Sequence, residues 1–569
     1  MARYRFLWMS FLVALLAMGC VSPANVTQGS SPTGGGRPAT SSKKTIVVVA
    51  RGEPVILNRQ ISDNRPGAIA GILELSYALN TRLASVQDYT RVVGMRLADV
   101  APTTDNGLWK LFPDGRMETT WKLRHDVTWH DGKPFTSEDM LFTVQVGRDK
   151  EVAALRNEAY DSLESATAPD PYTLVVTWNQ AFILADAFIG DMEPLPKHLL
   201  EAAYNEDKVG FPDIPFFTRE PVGTGPFKLT DWVLNSHLTL TAFDAYPLGR
   251  PRIDEITWKF ILDTNVMIAN VLAGAANMTI GRGISLQQSL EAGNRLGDRG
   301  KPDYYSLGWV ALFPQHLNPN PAVIANAQFR RALLHALDRQ ELADVILGGT
   351  VPVVANYVNP SQAEFQETLS AVVRQEYDPR KAAQLVEELG YTKRPDGFYY
   401  NTAGEILWSE IRTTAEDDLK DSLMFATADQ WKSFGVDSRP LHIPRQMATD
   451  LEYRATRPGF EMTRQPNDFS ARSLKRLLIR EASVPENNFR GQNRGRYMSP
   501  ELDALIERYL VTVPMRERLE IGRGIVKHMT ENLPVMGVVY DSTAIIIGSS
   551  LTNVNAQEIT RNAHLWDLR

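Results

Sequence analysis

Residues 221–263 read PVGTGPFKLTDWVLNSHLTLTAFDAYPLGRPRIDEITWKFILD, a glycine turn followed by three strand-like segments. Proline stands directly after the second glycine of Gly223-Thr224-Gly225-Pro226. It opposes a phosphate cradle at a helix start and favours a rigid turn feeding a strand over 227–232. Segments 237–243 and 256–262 follow with the β-branched and aromatic content of strands. This stretch builds sheet.

Two neighbouring stretches add helices. Residues 121–146, WKLRHDVTWHDGKPFTSEDMLFTVQV, pass from an alternating strand through a turn at Asp131-Gly132. A helix follows, capped by Thr136 or Ser137, with Glu138 and Asp139 in its first turn. In 318–349, Asn326 caps a helix whose apolar face is Phe329, Ala332, Leu333, Ala336, Leu337, Val345 and Ile346, with Gly348-Gly349 as terminator. Asp378-Pro379 opens another helix that Gly390 ends, and Ser499-Pro500-Glu501 opens one more. Segments 45–50, 118–123, 172–178 and 535–540 read as further strands. Interleaved strands and helices predict an α/β, or mixed α+β, architecture.

The chain has 569 residues, and the roughly 525 from Thr45 onward exceed what one core supports, so two or three domains are expected. A net charge of -7 argues against nucleic acid, whose binding requires neutralising phosphates with Lys and Arg. Catalytic signatures are missing from the sequence: no G-x-S-x-G, no H-E-x-x-H, no P-loop and no G-x-G-x-x-G after a strand. His125 and His130 stand five apart on strand and turn, where they face opposite sides, which opposes a shared metal. No cofactor or metal is expected. The acidic pairs Glu138-Asp139 and Asp417-Asp418 read as helix-start or surface charges.

At the N-terminus, Arg3 and Arg5 precede an eleven-residue apolar run over 6–16, which ends in Ala17-Met18-Gly19-Cys20. The run is too short to span a membrane, which takes about 20 residues, and reads as a signal segment. The arrangement resembles a bacterial lipoprotein signal, in which Cys20 becomes the lipid-modified first residue; an ordinary signal peptide is the alternative. Cys20 is the sole cysteine, so no internal disulfide or thiolate nucleophile is available. Residues 21–44, VSPANVTQGSSPTGGGRPATSSKK, hold almost nothing apolar and form a flexible tether with a reach on the order of 25 to 30 Å.

Taken together, the H-D-G turn with Thr136-Ser137-Glu138-Asp139, the V-G-T-G-P-F turn, Asp244-Ala245-Tyr246 and I-D-E-I-T-W form an ordered series. The helix from Arg330 to Arg339 and the Pro500 to Ile506 helix complete it, with Glu53-Pro54 and Leu57-Asn58 as an opening turn. The series resembles the extracytoplasmic solute-binding proteins of peptide, oligopeptide and nickel ABC importers, solute-binding family 5, from about Thr45 to the C-terminus. The resemblance implies a two-lobed periplasmic-binding-protein-like fold with a hinge and an inserted domain. Lobe I would comprise 45–85, 217–308 and 530–569, the inserted domain 86–216, and lobe II 309–529. It further implies a monomeric receptor, not an enzyme, lipid-anchored outside the cytoplasm. The receptor traps a peptide or other small polar solute by lobe closure and delivers it to ABC permease subunits. An extracytoplasmic hydrolase or a ligand-delivering sensor on the same scaffold is the alternative.

The resemblance also points to site residues. Peptide-type members hold the ligand's amino group with an aspartate in a Gly-Trp-rich loop after a G-x-F/Y-D strand. Gly459-Phe460-Glu461-Met462 matches that strand, but the following residues lack the Gly-Trp pair and leave a displaced Asp468 as the acid. Residues 445–496 carry eleven Arg or Lys against six Asp or Glu. There Arg464 or Arg490 would clamp a carboxylate or phosphate, unless the segment is a solvated or lipid-facing positive surface. Trp309, where the family's chain passes between lobes, either stacks on ligand or packs between lobes. Arg65 is a further cleft candidate by position.

Overall fold

Strand-forming runs separated by helices assemble into one large mixed sheet. The computed structural model describes residues 43–64, 71–87, 91–281, 283–355, 357–360, 362, 364–414, 417–558 and 560–569; Cys20, the tether up to residue 42 and Arg65 lie outside them. The ten strands of the large sheet are, in chain order, β1 (Thr45–Ala50), β2 (Phe227–Val233), β3 (His237–Ala242), β4 (Glu255–Phe260) and β5 (Met278–Ile280), then β6 (Gly300–Pro314), β7 (Trp408–Thr414), β8 (Asp437–Ile443), β9 (Phe460–Gln465) and β10 (Met536–Gly548). Their spatial order is β8-β7-β9-β6-β10-β5-β1-β4-β3-β2. β1 is parallel to β4 and β5, and β7 is parallel to β8 and β9.

β6 and β10 are the long strands, 15 and 13 residues. They pair antiparallel from Gly300 opposite Gly548 to Leu312 opposite Met536. One end of this ribbon lies in the lobe of β1 to β5, the other in the lobe of β7 to β9, so it joins the halves of a two-lobed fold. The sequence predicts a strand over 535–540; the strand continues to Gly548 because Asp541, Ser542 and Thr543, polar enough to read as an interruption, are themselves buried at the crossing.

A separate five-stranded antiparallel sheet arises between β1 and β2, from Ala98–Val100, Trp109–Leu111, Met117–Leu123, Leu163–Asp170 and Thr173–Trp178. Trp121, Trp129 and Trp178 fill its core. The helix Ser137–Arg148 covers it, and the acidic pair at its start divides. Asp139 is buried and accepts from the Thr136 N–H at 2.9 Å, the Lys197 N–H at 3.0 Å and Trp129 Nε1 at 3.2 Å. Glu138 meets Lys197 Nζ at the surface.

The glycine turn packs backbone on backbone. A Cβ on Gly223 would stand 2.0 Å from the Leu79 carbonyl oxygen, and one on Gly225 would stand 2.4 Å from its carbon, so neither position admits a side chain. His130 locks the turn: Nδ1 accepts the Gly223 N–H at 3.1 Å, and Nε2 donates to the Gly225 carbonyl at 3.0 Å. Burial drives its pKa down to about 4, so the ring is neutral.

The helix expected after Asn326 is two helices, Ala327–His335 and Arg339–Leu347. Asp338 breaks it by accepting from the Glu341 N–H at 2.9 Å and capping the second segment. Val345 consequently faces solvent, 76% exposed. No described helix is long and apolar enough to cross a membrane.

Candidate functional site

β6 carries Trp309 at the point where the ribbon enters the second lobe, opposite Gln465 of β9 and Tyr540 of β10. The indole is buried, 4% exposed, and needs Gly537 beside it: a Cβ there would lie 2.7 Å from the ring. An aromatic row runs away from it, from Trp309 to Tyr357 (5.4 Å between centroids, edge to face), to Phe469 (6.3 Å) and to Tyr509 (4.9 Å). These spacings are those of favourable aromatic pairs. Next to Trp309 lies a cavity of about 30 Å³, walled by Tyr357, Gln465, Arg476, Gln492, Arg494 and Tyr497 among others.

Arg464 faces two carboxylates. Its Nε and Nη2 reach Asp417 at 2.9 and 3.1 Å in a two-pronged pair, and Nη1 reaches Asp541 at 2.7 Å. Burial opposes its charge, but Asp541 and Asp417 more than offset this and hold the guanidinium above its ordinary pKa. Its ring of donors is therefore engaged within the protein. Asp468 Oδ1 accepts from the N–H and hydroxyl of Ser470, whose own oxygen caps the helix Ala471–Lys475. Arg490 is exposed in the turn after Pro485–Asn487 and is not part of the cavity wall. Trp309 and the loop of Asp468 thus flank one region, whereas Arg490 stands apart.

Much of the basic excess in 445–496 has a structural use. Glu461, 2% exposed, is ion-paired with Arg454 and stands 3.9 Å from Arg412. Burial would raise its pKa, but Arg457 and Arg454 hold it below the usual carboxylate range. Arg457 ties three backbone carbonyls, those of Arg454, Arg494 and Phe313. Arg480 pairs with Glu507 at 2.7 Å. Of the others, Arg476 and Arg494 line the cavity. Composition flagged the segment, but only packing separates its structural arginines from its cavity-facing ones.

A Ser-His-acid grouping also occurs. Ser499 Oγ lies 3.4 Å from His528 Nε2, and His528 Nδ1 lies 3.4 Å from Glu501. The Tyr497 hydroxyl holds that Nε2 more closely, at 2.9 Å, and Ser499 Oγ accepts the Leu502 N–H as a helix cap. This geometry orients a helix start rather than activating a nucleophile.

Comparison with known proteins gives the following. The description of bacterial extracellular solute-binding proteins, family 5 Middle, matches residues 106–467. The oligopeptide-binding protein AppA of Bacillus subtilis is 24% identical over 429 residues, 75% of this chain and 74% of that one. The glutathione-binding protein GsiB of Salmonella typhimurium is 27% identical over 328 residues, 57% of this chain and 58% of its own length. In structure, AppA in complex with a nonapeptide is similar with a TM-score of 0.64 at 20% identity, over 93% of this chain and 99% of that one. The substrate-binding protein CtaP of Listeria monocytogenes gives 0.74 at 20% identity, over 93% and 100%. At such identity these two likenesses are likenesses of fold.

Proposed function

The chain belongs to family 5 of the bacterial extracellular solute-binding proteins, and on that premise we propose that it captures a short peptide between its lobes and presents it to an ABC permease. The observation that carries this is the β6–β10 ribbon, which joins the lobes within one sheet and places Trp309 where they meet. A solute drives closure only by the free energy it gains in the closed form over the open one. The bound molecule leaves unaltered.

Lobe I is taken as 45–85, 217–308 and 530–569, the inserted domain as 86–216, and lobe II as 309–529. One continuous apolar cluster supports a closed arrangement: it joins Trp121, Ile183 and Ile189 of the inserted domain to Tyr509, Val513 and Ile521 of lobe II. Cys20 would hold the receptor on the membrane, and the 21–44 tether would give it reach to the permease. AppA and GsiB, whose names specify an oligopeptide and glutathione, support a peptide as ligand.

Native mass spectrometry of the full chain purified from its own host tests this reading. A retained peptide is the expected result. Retention of a sugar or a metal chelate instead, with no thermal stabilisation by a set of di- to pentapeptides, would overturn it. A solute at one hundred times its Kd should add about 2.7 kcal/mol.

A further inference from the structure

We infer that Arg339 is a positioning residue for Trp309: its guanidinium holds the backbone that seats the indole at the lobe junction, and so sets the aromatic wall that a solute meets. The inference rests on the solute-receptor reading and adds to it a residue that acts through Trp309.

Arg339 ends the stretch RRALLHALDR over 330–339 and opens the helix Arg339–Leu347, which Asp338 caps. Its side chain meets three backbone carbonyls. Nη1 donates to Val354 at 2.9 Å and to Gly537 at 3.2 Å, and Nη2 donates to Gln375 at 2.7 Å. These carbonyls belong to three separate segments. Gly537 is on β10, Val354 follows Val353, which bridges to Val539 of β10, and Gln375 Nε2 is itself tied to the Thr530 carbonyl at 2.9 Å. Arg339 makes no ion pair among the described residues. Burial lowers its pKa to about 10, so it is a cation at neutral pH.

Covering a cation with carbonyl dipoles alone is costly. Only a guanidinium carries enough donors in a rigid fork to reach the three carbonyls at once. What the fork fixes is the seat of Trp309. Gly537 lies between Val354 and the indole, since a Cβ on it would stand 2.6 Å from Val354 Cγ1 and 2.7 Å from the ring. Tyr357, three residues after Val354, meets the indole edge to face at 5.4 Å. Both neighbours that seat the indole therefore depend on backbone held by Arg339. A close-packed wall transmits displacement, so releasing the fork moves the indole, which borders the cavity.

Arg330 offers the same chemistry with a different target. On the preceding helix, its nitrogens donate to the carbonyls of Ile324, Asn532 and Leu533 at 2.8, 2.6 and 3.0 Å, and none of these residues lines the cavity. Burial brings its pKa to about 10 as well. The two arginines thus separate bracing the fold from seating Trp309.

The full chain is prepared as parent, Arg339→Lys, Arg339→Gln and Arg330→Lys, each with and without Trp309→Phe, so that difference spectra isolate the emission of Trp309. Emission shifted to longer wavelength in both Arg339 variants is expected, with no shift in Arg330→Lys although its unfolding midpoint also falls. An unshifted Trp309 signal in the Arg339 variants overturns the inference, as does failure of both to fold, since Arg339 would then serve the fold as a whole. Calorimetric affinity of the forms retaining Trp309 for Ala-Ala-Ala should fall about tenfold or more in both Arg339 variants and stay within about twofold in Arg330→Lys. A shifted signal with unchanged affinity overturns the link to the solute. Absence of Ala-Ala-Ala binding by the parent counts against the peptide reading instead, and the Trp309 signal still decides whether Arg339 seats the indole.

Discussion

The guanidinium of Arg464 on β9 reaches past β6 to the carboxylate of Asp541 on β10, 2.7 Å away. In register, Arg464 stands opposite Val310 and Asp541 opposite Gly308, so this pair crosses the strand on which the chain passes between lobes. Asp417 completes a three-membered network. Arg464→Ala leaves the Asp541 carboxylate, 7% exposed, without its guanidinium. We expect a loss of about 3 kcal/mol in denaturant unfolding. Lysine should restore only part, since the two-pronged contact to Asp417 needs the guanidinium plane. A double-mutant cycle with Asp541→Asn should give a coupling of at least about 1 kcal/mol; additivity would refute the network.

Gly537→Ala places a methyl 2.6 Å from Val354 Cγ1 and 2.7 Å from the Trp309 ring. Overpacking should destabilise the fold by about 1 to 3 kcal/mol, shift the indole and change its fluorescence. A variant as stable as the parent, with unchanged emission, would show that Trp309 is not held by this contact.

Asp186 ties stability to pH. It lies at the start of Ala185–Gly190, near Arg518 of Met515–Asn532. Burial pushes its carboxyl up to about 6, against the Ala187 N–H and the Arg518 charge, which lower it. A raised acid favours the native state while protonated. Its contribution is thus fully present below about pH 4, the unfolded value, and is lost as pH rises through 6. Asp186→Asn should therefore stabilise the protein by about 1 to 2 kcal/mol at pH 7.5, with the difference disappearing near pH 4. Thermal unfolding at the two pH values decides this; a constant difference would mean that the carboxyl titrates normally.

Cys20→Ala should move the receptor from the membrane fraction to the soluble fraction on cell fractionation, leaving its solute affinity within a factor of about two. Retention of the variant on the membrane would contradict the lipid anchor.

Local signals were legible wherever one residue decides a local outcome. Asp378 caps Pro379–Glu388 through the Arg380 and Lys381 N–H groups, and Ser499 caps Pro500–Val511, as their spacing predicts. The turn at Gly223 needs glycine because the backbone of Leu79 abuts it, although Leu79 is 144 residues earlier. The break at Asp338 was harder to read, since the apolar period continues through it and only the cap interrupts.

Among the site residues, the basic excess of 445–496 was visible as a count, but Arg464, Arg476 and Arg494 are chemically identical in a string. Their difference arises from distant partners: Asp541 lies 77 positions from Arg464, and Gln492 lies 16 from Arg476. Order of motifs, strand and helix type and the family were determined by sequence alone, because each depends on short-range periodicity or on residues read in succession. Which arginine is neutralised and which faces a cavity was decided only by the tertiary structure, because burial and Coulomb interactions depend on distance in space, which the crossing of β6 and β10 sets.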